Sequence, residues 1–369
     1  MLDSRPALPF LSAGKAHLQG RVLRVLRRCE DLLETARRAL VPAPVTLFRD
    51  VTAPWLASAL CLAARLRLAD VVDEQPVAVE SLARRLEMGP TELTRLLDVL
   101  RAHGYFRLDR RGEVAHTPLS LALRREVAGA FAELQGRGWY RKAFSSSHVL
   151  EGWRTGQSPF EAATGRHFFD YLGEQPEASQ LFAAAMDNIT RFCTPFLVAE
   201  ISLRAGEKVL DVGGGNGELV RALARRYPGI PMAVLDRSSF QAVPADPSEV
   251  TFHEGSFFEP IPAGYDHLLL KNVLHDWDDA RCLEILARCR EAVAAGARLT
   301  VIECLLPEPG QAALGAANTF ALDWNVWLTL SGQERSASQL DRLLKASGWR
   351  RRDIFATATP YHVLTCQAV

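Results

Sequence analysis

The hydrophobic pattern changes character near residue 198. Before that point the periodicity is helical. In "HLQGRVLRVLRRCEDLLETARRAL", Leu23, Leu26, Leu32 and Leu33 fall close to helical spacing. "PWLASALCLAARLRLADVV", "AVESLARRLEM" and "GPTELTRLLDVLRAHGYF" predict three more helices with short connections. "YFRLDRRGEVAHTPLS" then predicts two short extended pieces around a turn at Arg111-Gly112. Past residue 126 the helical texture persists and aromatics gather, in "GRGWYRKAF", "TGRHFFDYL" and "LFAAAMDNITRFCTPFL". Most of Trp139, Phe168, Phe169, Phe182 and Phe192 are expected in the core; some could line a pocket for a flat ligand.

After residue 198, short apolar runs alternate with helical stretches. "KVLDV", "PMAVLD", "TFHEGSF", "YDHLLLKNV" and "RLTVIE" predict strands, and "DDARCLEILARCREAVAAG" predicts a helix between two of them. "RRRDIFATATPYHVLTCQAV" predicts a closing strand pair. Such alternation implies an α/β fold, a mainly parallel sheet with helices on both faces.

Composition adds limits. At 369 residues the chain has room for two domains and a large core. Three helices and a hairpin outline a winged helix, which often binds DNA. Yet 43 Lys and Arg balance 43 Asp and Glu, so the electrostatic attraction that nucleic acid offers is missing. A helical packing or dimerisation module is the better reading. The seven Cys include no CxxC pair, as expected of reduced thiols in a cytoplasm, and Cys282 and Cys289 read as helix packing. The first residues do not read as a signal peptide, and no apolar stretch is expected to span a bilayer.

The stretch "KVLDVGGGNGELVRAL" carries the first chemical signal. The dinucleotide fingerprint G-x-G-x-x-G, counted from Gly213 and Gly215, needs a third glycine where Glu218 stands. No Gly-Lys-Ser/Thr follows, which excludes a phosphate loop. Asp211 would repel a pyrophosphate but attract a cation such as S-adenosylmethionine. Asp236 ends the second strand, where an acid can take both ribose hydroxyls. Ligands in open α/β sheets bind beyond the carboxyl ends of the strands. The runs end at Asp211, Asp236, Ser256-Phe257, His275 and Glu303. A histidine beside a methyl donor suggests general-base activation of a phenol, with Glu303 or Glu334 orienting the imidazole.

These residues resemble the S-adenosylmethionine-dependent O-methyltransferases that act on plant phenolics and bacterial aromatic natural products. The likeness rests on "VLDVGGGNGELV", "HEGSFFEPIP", "LLLKNVLHDWDDARCLEIL", "TVIECLLPEPG" and "SGQERSASQLDRLLKASGW" in that order, above all "LHDW" followed by "GQERS". The resemblance implies a Rossmann-like class I methyltransferase domain behind an N-terminal helical, winged-helix-like dimerisation domain. The expected boundaries are 1–125 for dimerisation, 126–197 for a substrate-capping part and 198–369 for the core.

It further implies His275 as base, flanked by Glu303 and Glu334. Asp211, Gly213, Gly215, Asp236, Arg237, Gly255, Ser256, Phe257 and Lys271 would contact the cofactor, with Arg166 reaching its carboxylate. Asp276, Met186, Asn188, Phe192, Asp323 and Trp327 would meet the substrate. A homodimer is expected, with a small aromatic substrate, no metal, no nucleic acid and no membrane. Relatives usually have Gly-Asp-Phe where this chain has Gly255-Ser256-Phe257; a neutral serine there would cost about 1–2 kcal/mol of cofactor affinity. A family member turned to other chemistry, such as decarboxylation or hydroxylation, is the alternative, with a ligand-sensing DNA-binding regulator as a rival from another class.

Overall fold

The computed structural model describes residues 16–237, 250–308, 310 and 317–369. They form two compact units. One comprises Glu34–Lys142 with Glu177–Phe192, and the other takes in Ala143–Pro176 and Cys193–Val369. The boundary expected at residue 125 therefore falls inside a unit. Local polar ties explain this. Asn188 accepts from the Phe131 N–H (3.2 Å) and donates to the Arg125 carbonyl (3.1 Å). Buried Glu133 is bracketed by the guanidinium groups of Arg125 and Arg137.

In the first unit, helices Val79–Arg85 and Pro90–Ala102 turn Leu82, Leu93, Leu97 and Leu100 into a common core. Strands β1 (Val77–Ala78), β2 (Phe106–Leu108) and β3 (Glu113–His116) pair antiparallel in the order β1-β3-β2, supplying Phe106 and Val114. The Asp109 carboxylate caps the hairpin turn by accepting from the Arg111 and Glu113 N–H groups.

The segment expected to start a helix at Pro54 is instead the second half of a longer helix, Ala43–Arg65. Pro54 lies inside it, without breaking it. This corrects the membrane expectation: by length and composition alone, that helix is long and apolar enough to cross a bilayer. The most apolar stretch is largely unburied in a single chain.

The second unit holds the sheet. Strands β4 (Val209–Val212), β5 (Met232–Asp236), β6 (Thr251–Glu254), β7 (His267–Lys271), β8 (Arg298–Leu306), β10 (Trp349–Ala356) and β11 (Tyr361–Ala368) take the order β10-β11-β8-β7-β4-β5-β6. The short β9 (Arg335–Ser336) adds to β8. β4 pairs parallel with both β5 and β7, so the strand order reverses at β4. Val209, Leu210 and Val212 are wholly buried, as befits a strand covered on both faces. Reversal opens a crevice beyond the carboxyl ends of β4 and β7, where ligands bind in such sheets.

Trp349 opens β10 and is buried in the core beneath this sheet, its indole N–H donating to the Leu286 carbonyl at 3.1 Å. Trp349→Ala is expected to cost about 3–5 kcal/mol of unfolding free energy. Denaturant melts check this, and a loss below 1 kcal/mol, roughly the scale of a surface change, would show that the site relaxes around the hole.

Candidate functional site

Two loops meet over the crevice. The glycine turn leaves β4 and enters helix Glu218–Arg226 through Gly217, whose φ of 81° suits glycine. A Cβ there would lie 3.1 Å from Val234 Cγ2, so Gly217 gives the close helix–strand approach that the fingerprint assigns to residue 218. Gly213 N–H donates to the Leu235 carbonyl, and Gly215 N–H to Asp236 Oδ2 at 2.7 Å. Asp236 Oδ1 accepts from the Arg237 N–H. Its pKa is raised, chiefly by burial, against these two backbone bonds.

Asp211 does not face the crevice openly. It lies 1% exposed beneath the turn, where a Cβ on Gly214 would strike its carboxylate at 2.7 Å. Burial pushes its pKa up to about 7, against the pull of Lys271 and with a further push from Asp236. Its Oδ1 has no hydrogen-bond partner among the described residues. Lys271, over the Tyr361 ring at 5.2 Å, has its own pKa lowered by burial; the Cys193 thiol, Asp211 and Glu303 oppose that shift.

The second loop, Leu274–Asp276, follows β7. Glu303 lies within β8 rather than at its end, because β11 pairs along β8 as far as Cys304. It nevertheless stands one residue past the last β7–β8 pair, Lys271 with Ile302, level with the loop. Its Oε1 accepts from the Val273 and Leu274 N–H groups at 3.2 and 2.9 Å, and its Oε2 lies 3.8 Å from His275 Nδ1. Burial raises the pKa of Glu303, with His275 pulling it down.

The acid that bonds the imidazole is Glu334, whose Oε1 lies 2.7 Å from Nδ1. On the other side, Asp276 Oδ1 lies 3.1 Å from Nε2. Burial alone would lower the pKa of His275, but Glu334, Asp276 and Glu303 together hold it well above the ordinary histidine value. His275, Glu303 and Glu334 offer atoms within 4.8 Å of one another, a spacing that could hold a metal ion, and His275 and Glu334 are hydrogen-bonded to each other.

The strip around Glu334 is fastened to the His275 loop through residues 332–335. A Cβ on Gly332 would sit 2.0 Å from the His275 carbonyl oxygen, so only glycine allows the approach. Gln333 N–H donates to that same carbonyl at 2.9 Å. Arg335, 3% exposed, donates to the Leu274 and Trp277 carbonyls at 2.8 and 2.7 Å and to Asp279 at 2.9 Å. Ser336 caps helix Ala337–Ala346 in a capping box with Gln339. Asp323, on helix Ala317–Leu330, accepts from the Glu334 N–H at 2.8 Å. Sequence reasoning missed Gly217, Gly332 and Arg335; their placement inside quoted motifs was the signal.

Other expected residues divide. Ser256 Oγ accepts from the Phe258 N–H at 3.2 Å and so caps its own turn, while Gly255 N–H donates to the Asp236 carbonyl. Phe257 and Phe258 pack edge-on to Trp277. From "TGRHFF", His167 and Phe169 stack on Trp277 at 5.4 and 5.9 Å, and the Arg237 guanidinium lies over Phe169. Arg166 does not join them: it is 57% exposed and paired with Glu174. Trp327 stands in a three-indole group with Trp153 and Trp324. Met186, Asn188 and Phe192 belong to the other unit. Met186 is half-buried there, Phe192 is exposed instead of core, and the Asn188 amide has the packing role described above in place of an open contact surface.

Comparison with known proteins gives this geometry a family. Residues 146–350 match the O-methyltransferase domain, and residues 51–125 match the O-methyltransferase dimerisation domain. The phenazine O-methyltransferase PhzM of Lysobacter antibioticus is 30% identical over 352 residues, covering 92% of this chain and all of that one. The crystal structure of LaPhzM superposes with a TM-score of 0.82 at 29% identity, over 89% of this chain and all of that one. An O-methyltransferase from neocarzinostatin biosynthesis, solved with S-adenosylmethionine and 2-hydroxy-5-methyl naphthoic acid, has a TM-score of 0.68 at 27% identity, over 85% of this chain and 96% of that one. This chain belongs to the O-methyltransferase family.

Proposed function

We propose that this enzyme transfers the methyl group of S-adenosylmethionine to a hydroxyl of an aromatic or polyketide-type small molecule, with His275 as general base. The observation that carries the reading is the buried His275–Glu334 pair beside the strand-order reversal. A phenol has a pKa near 10, so little phenolate exists at neutral pH. Nδ1 is taken by Glu334, which leaves Nε2, facing Asp276, as the nitrogen to receive the hydroxyl proton once an acceptor reaches it. Glu334 fixes the tautomer from Nδ1 and stabilises the imidazolium that forms. Glu303 acts at one remove, holding the backbone of the His275 loop and adding negative charge nearby.

The residues present suit a cationic donor without phosphate. Asp211, buried beneath the glycine turn with its Oδ1 unpartnered among the described residues, sets a carboxylate where it repels a pyrophosphate and attracts a cation. Asp211, Gly213, Gly215 and Lys271 are assigned to the methionine side, Asp236 and Arg237 to the ribose, and Gly255, Ser256 and Phe257 to the adenine. When bound, S-adenosylmethionine supplies an electrophilic methyl group. Asp276, Asp323 and Trp327 are assigned to the acceptor.

Calorimetric titration with S-adenosylmethionine is expected to give binding in the micromolar range, about −8 kcal/mol, and none with NADH. Absence of binding to S-adenosylmethionine would overturn the assignment of the glycine turn. His275→Ala is expected to lower turnover by roughly 10² to 10⁴ while cofactor affinity holds; unchanged turnover would mean that positioning alone drives transfer.

The dimerisation match and the exposed apolar side chains of the N-terminal helices, among them Leu32, Leu33, Leu47, Phe48 and Trp55, support a homodimer. Light scattering is expected to return twice the 40.7 kDa chain mass, with Phe48→Asp shifting it towards the monomer. A monomeric wild type would refute this.

A further inference from the structure

Both nitrogens of His275 face carboxylates at hydrogen-bonding distance: Nδ1 faces Glu334 (2.7 Å) and Nε2 faces Asp276 (3.1 Å). Ionised carboxylates only accept, so with both of these contacts made by carboxylates the ring carries a proton on each nitrogen. In that state it is an imidazolium, which has no lone pair with which to take a proton. The general base assigned above is thus held in its inactive form by its own neighbour in sequence.

We propose that Asp276 is a positioning residue that keeps the Nε2 proton in place until an acceptor hydroxyl displaces it. This rests on the general-base reading of His275. The balance is simple. As the acceptor enters, the Nε2 proton leaves to solvent and the bare lone pair meets the hydroxyl. The acceptor proton then moves to Nε2 as its oxygen gains the methyl group, and the new imidazolium returns to Asp276 when product departs. The acceptor competes with a carboxylate for Nε2, so a hydroxyl that reaches Nε2 poorly leaves the base blocked.

The surroundings leave Asp276 as the group able to do this. From β8, Glu303 approaches the Nδ1 side at 3.8 Å and is anchored by the Val273 and Leu274 N–H groups. From the strip before β9, Glu334 also takes Nδ1, while Arg335 is directed to the Leu274 and Trp277 carbonyls. Asp323, on helix Ala317–Leu330, holds the Glu334 N–H. From helix Asp279–Glu291, Cys282 Sγ turns to the Leu274 carbonyl and Asp279 to Arg335. Lys271 of β7 bears on Glu303. Among these groups, Asp276 is the one placed at Nε2. Burial of the ring works against its charge, and the surrounding carboxylates outweigh that effect.

The test is Asp276→Asn, which keeps an oxygen that can accept from Nε2–H and removes the charge. The His275 ring of the acceptor-free protein is titrated by NMR with isotope-labelled histidine, its signal assigned as the one lost in His275→Gln. In the wild type it is expected to stay protonated well above the ordinary histidine range; in Asp276→Asn its midpoint is expected to fall. The acid limb of kcat/KM, which reports the free enzyme, is expected to move to lower pH with it. A wild-type ring that titrates near the ordinary histidine value overturns the proposal without any variant. So does a variant whose ring midpoint and acid limb stay where they were. The ring titration needs no turnover, so a protein that moves no methyl group would count against the general-base reading separately.

Discussion

Arg335 is almost wholly buried, and its guanidinium reaches two backbone carbonyls of the His275 loop together with the Asp279 carboxylate. Hydrogen bonds from a charged donor contribute about 1.5–3 kcal/mol each, and here they join segments some sixty residues apart in the chain. Everything at the centre follows from that join. With the strip docked, Gly332 lies against the His275 carbonyl, Gln333 bonds it, and Glu334 arrives at Nδ1. A lysine at 335 could not span the two carbonyls, since its ammonium is a point donor where the guanidinium is a planar fork.

The sheet supplies the platform on which this join matters. Because the strand order reverses at β4, the glycine turn and the His275 loop leave adjacent parallel strands at the same edge. Several ionisable groups are buried there close together: Asp211, Lys271, Glu303, Glu334 and His275. Isolated charges at such depth would be prohibitively costly. They persist because each has an opposite charge or backbone N–H groups nearby, and because burial raises the Asp211 pKa to about 7, so its charge is only partly expressed at neutral pH. The site is polar by mutual compensation, which leaves its members sensitive to any change in one of them.

Most strands were legible because strands buried on both faces read as apolar runs, and the glycine turn and the His275 loop follow two of those runs, β4 and β7, at the same edge. Which glutamate bonds His275 was not legible. Glu303 follows a neighbouring strand and looked the equal of Glu334, but it holds the loop backbone while Glu334 takes the imidazole, a difference set by long-range docking. Helix Ala43–Arg65 was truncated at Pro54 because sequence rules treat an internal proline as a break, yet the helix runs through it. Glu218 seemed to end the glycine pattern, yet Gly217, one position earlier, gives the close approach. Arg166 was the conspicuous cation of its segment, but His167 and Phe169 are the side chains that reach Trp277, through ring stacking that no charge pattern announces.

The first compact unit is not contiguous: residues 177–192 complete it, and Asn188 in that stretch ties down the backbone at Arg125 and Phe131. A ribosome delivers the chain in order, at about 5–20 residues per second. Residues 34–142 therefore leave the exit tunnel seconds before the piece that completes them, with the Arg125 carbonyl and Phe131 N–H still without their Asn188 partner and with a largely unburied apolar helix. The newborn chain passes through an interval in which association with other proteins competes with its own completion. Expression hosts that slow synthesis across residues 143–176 would lengthen that interval, so yield of soluble protein becomes a matter of translation tempo as well as of final stability.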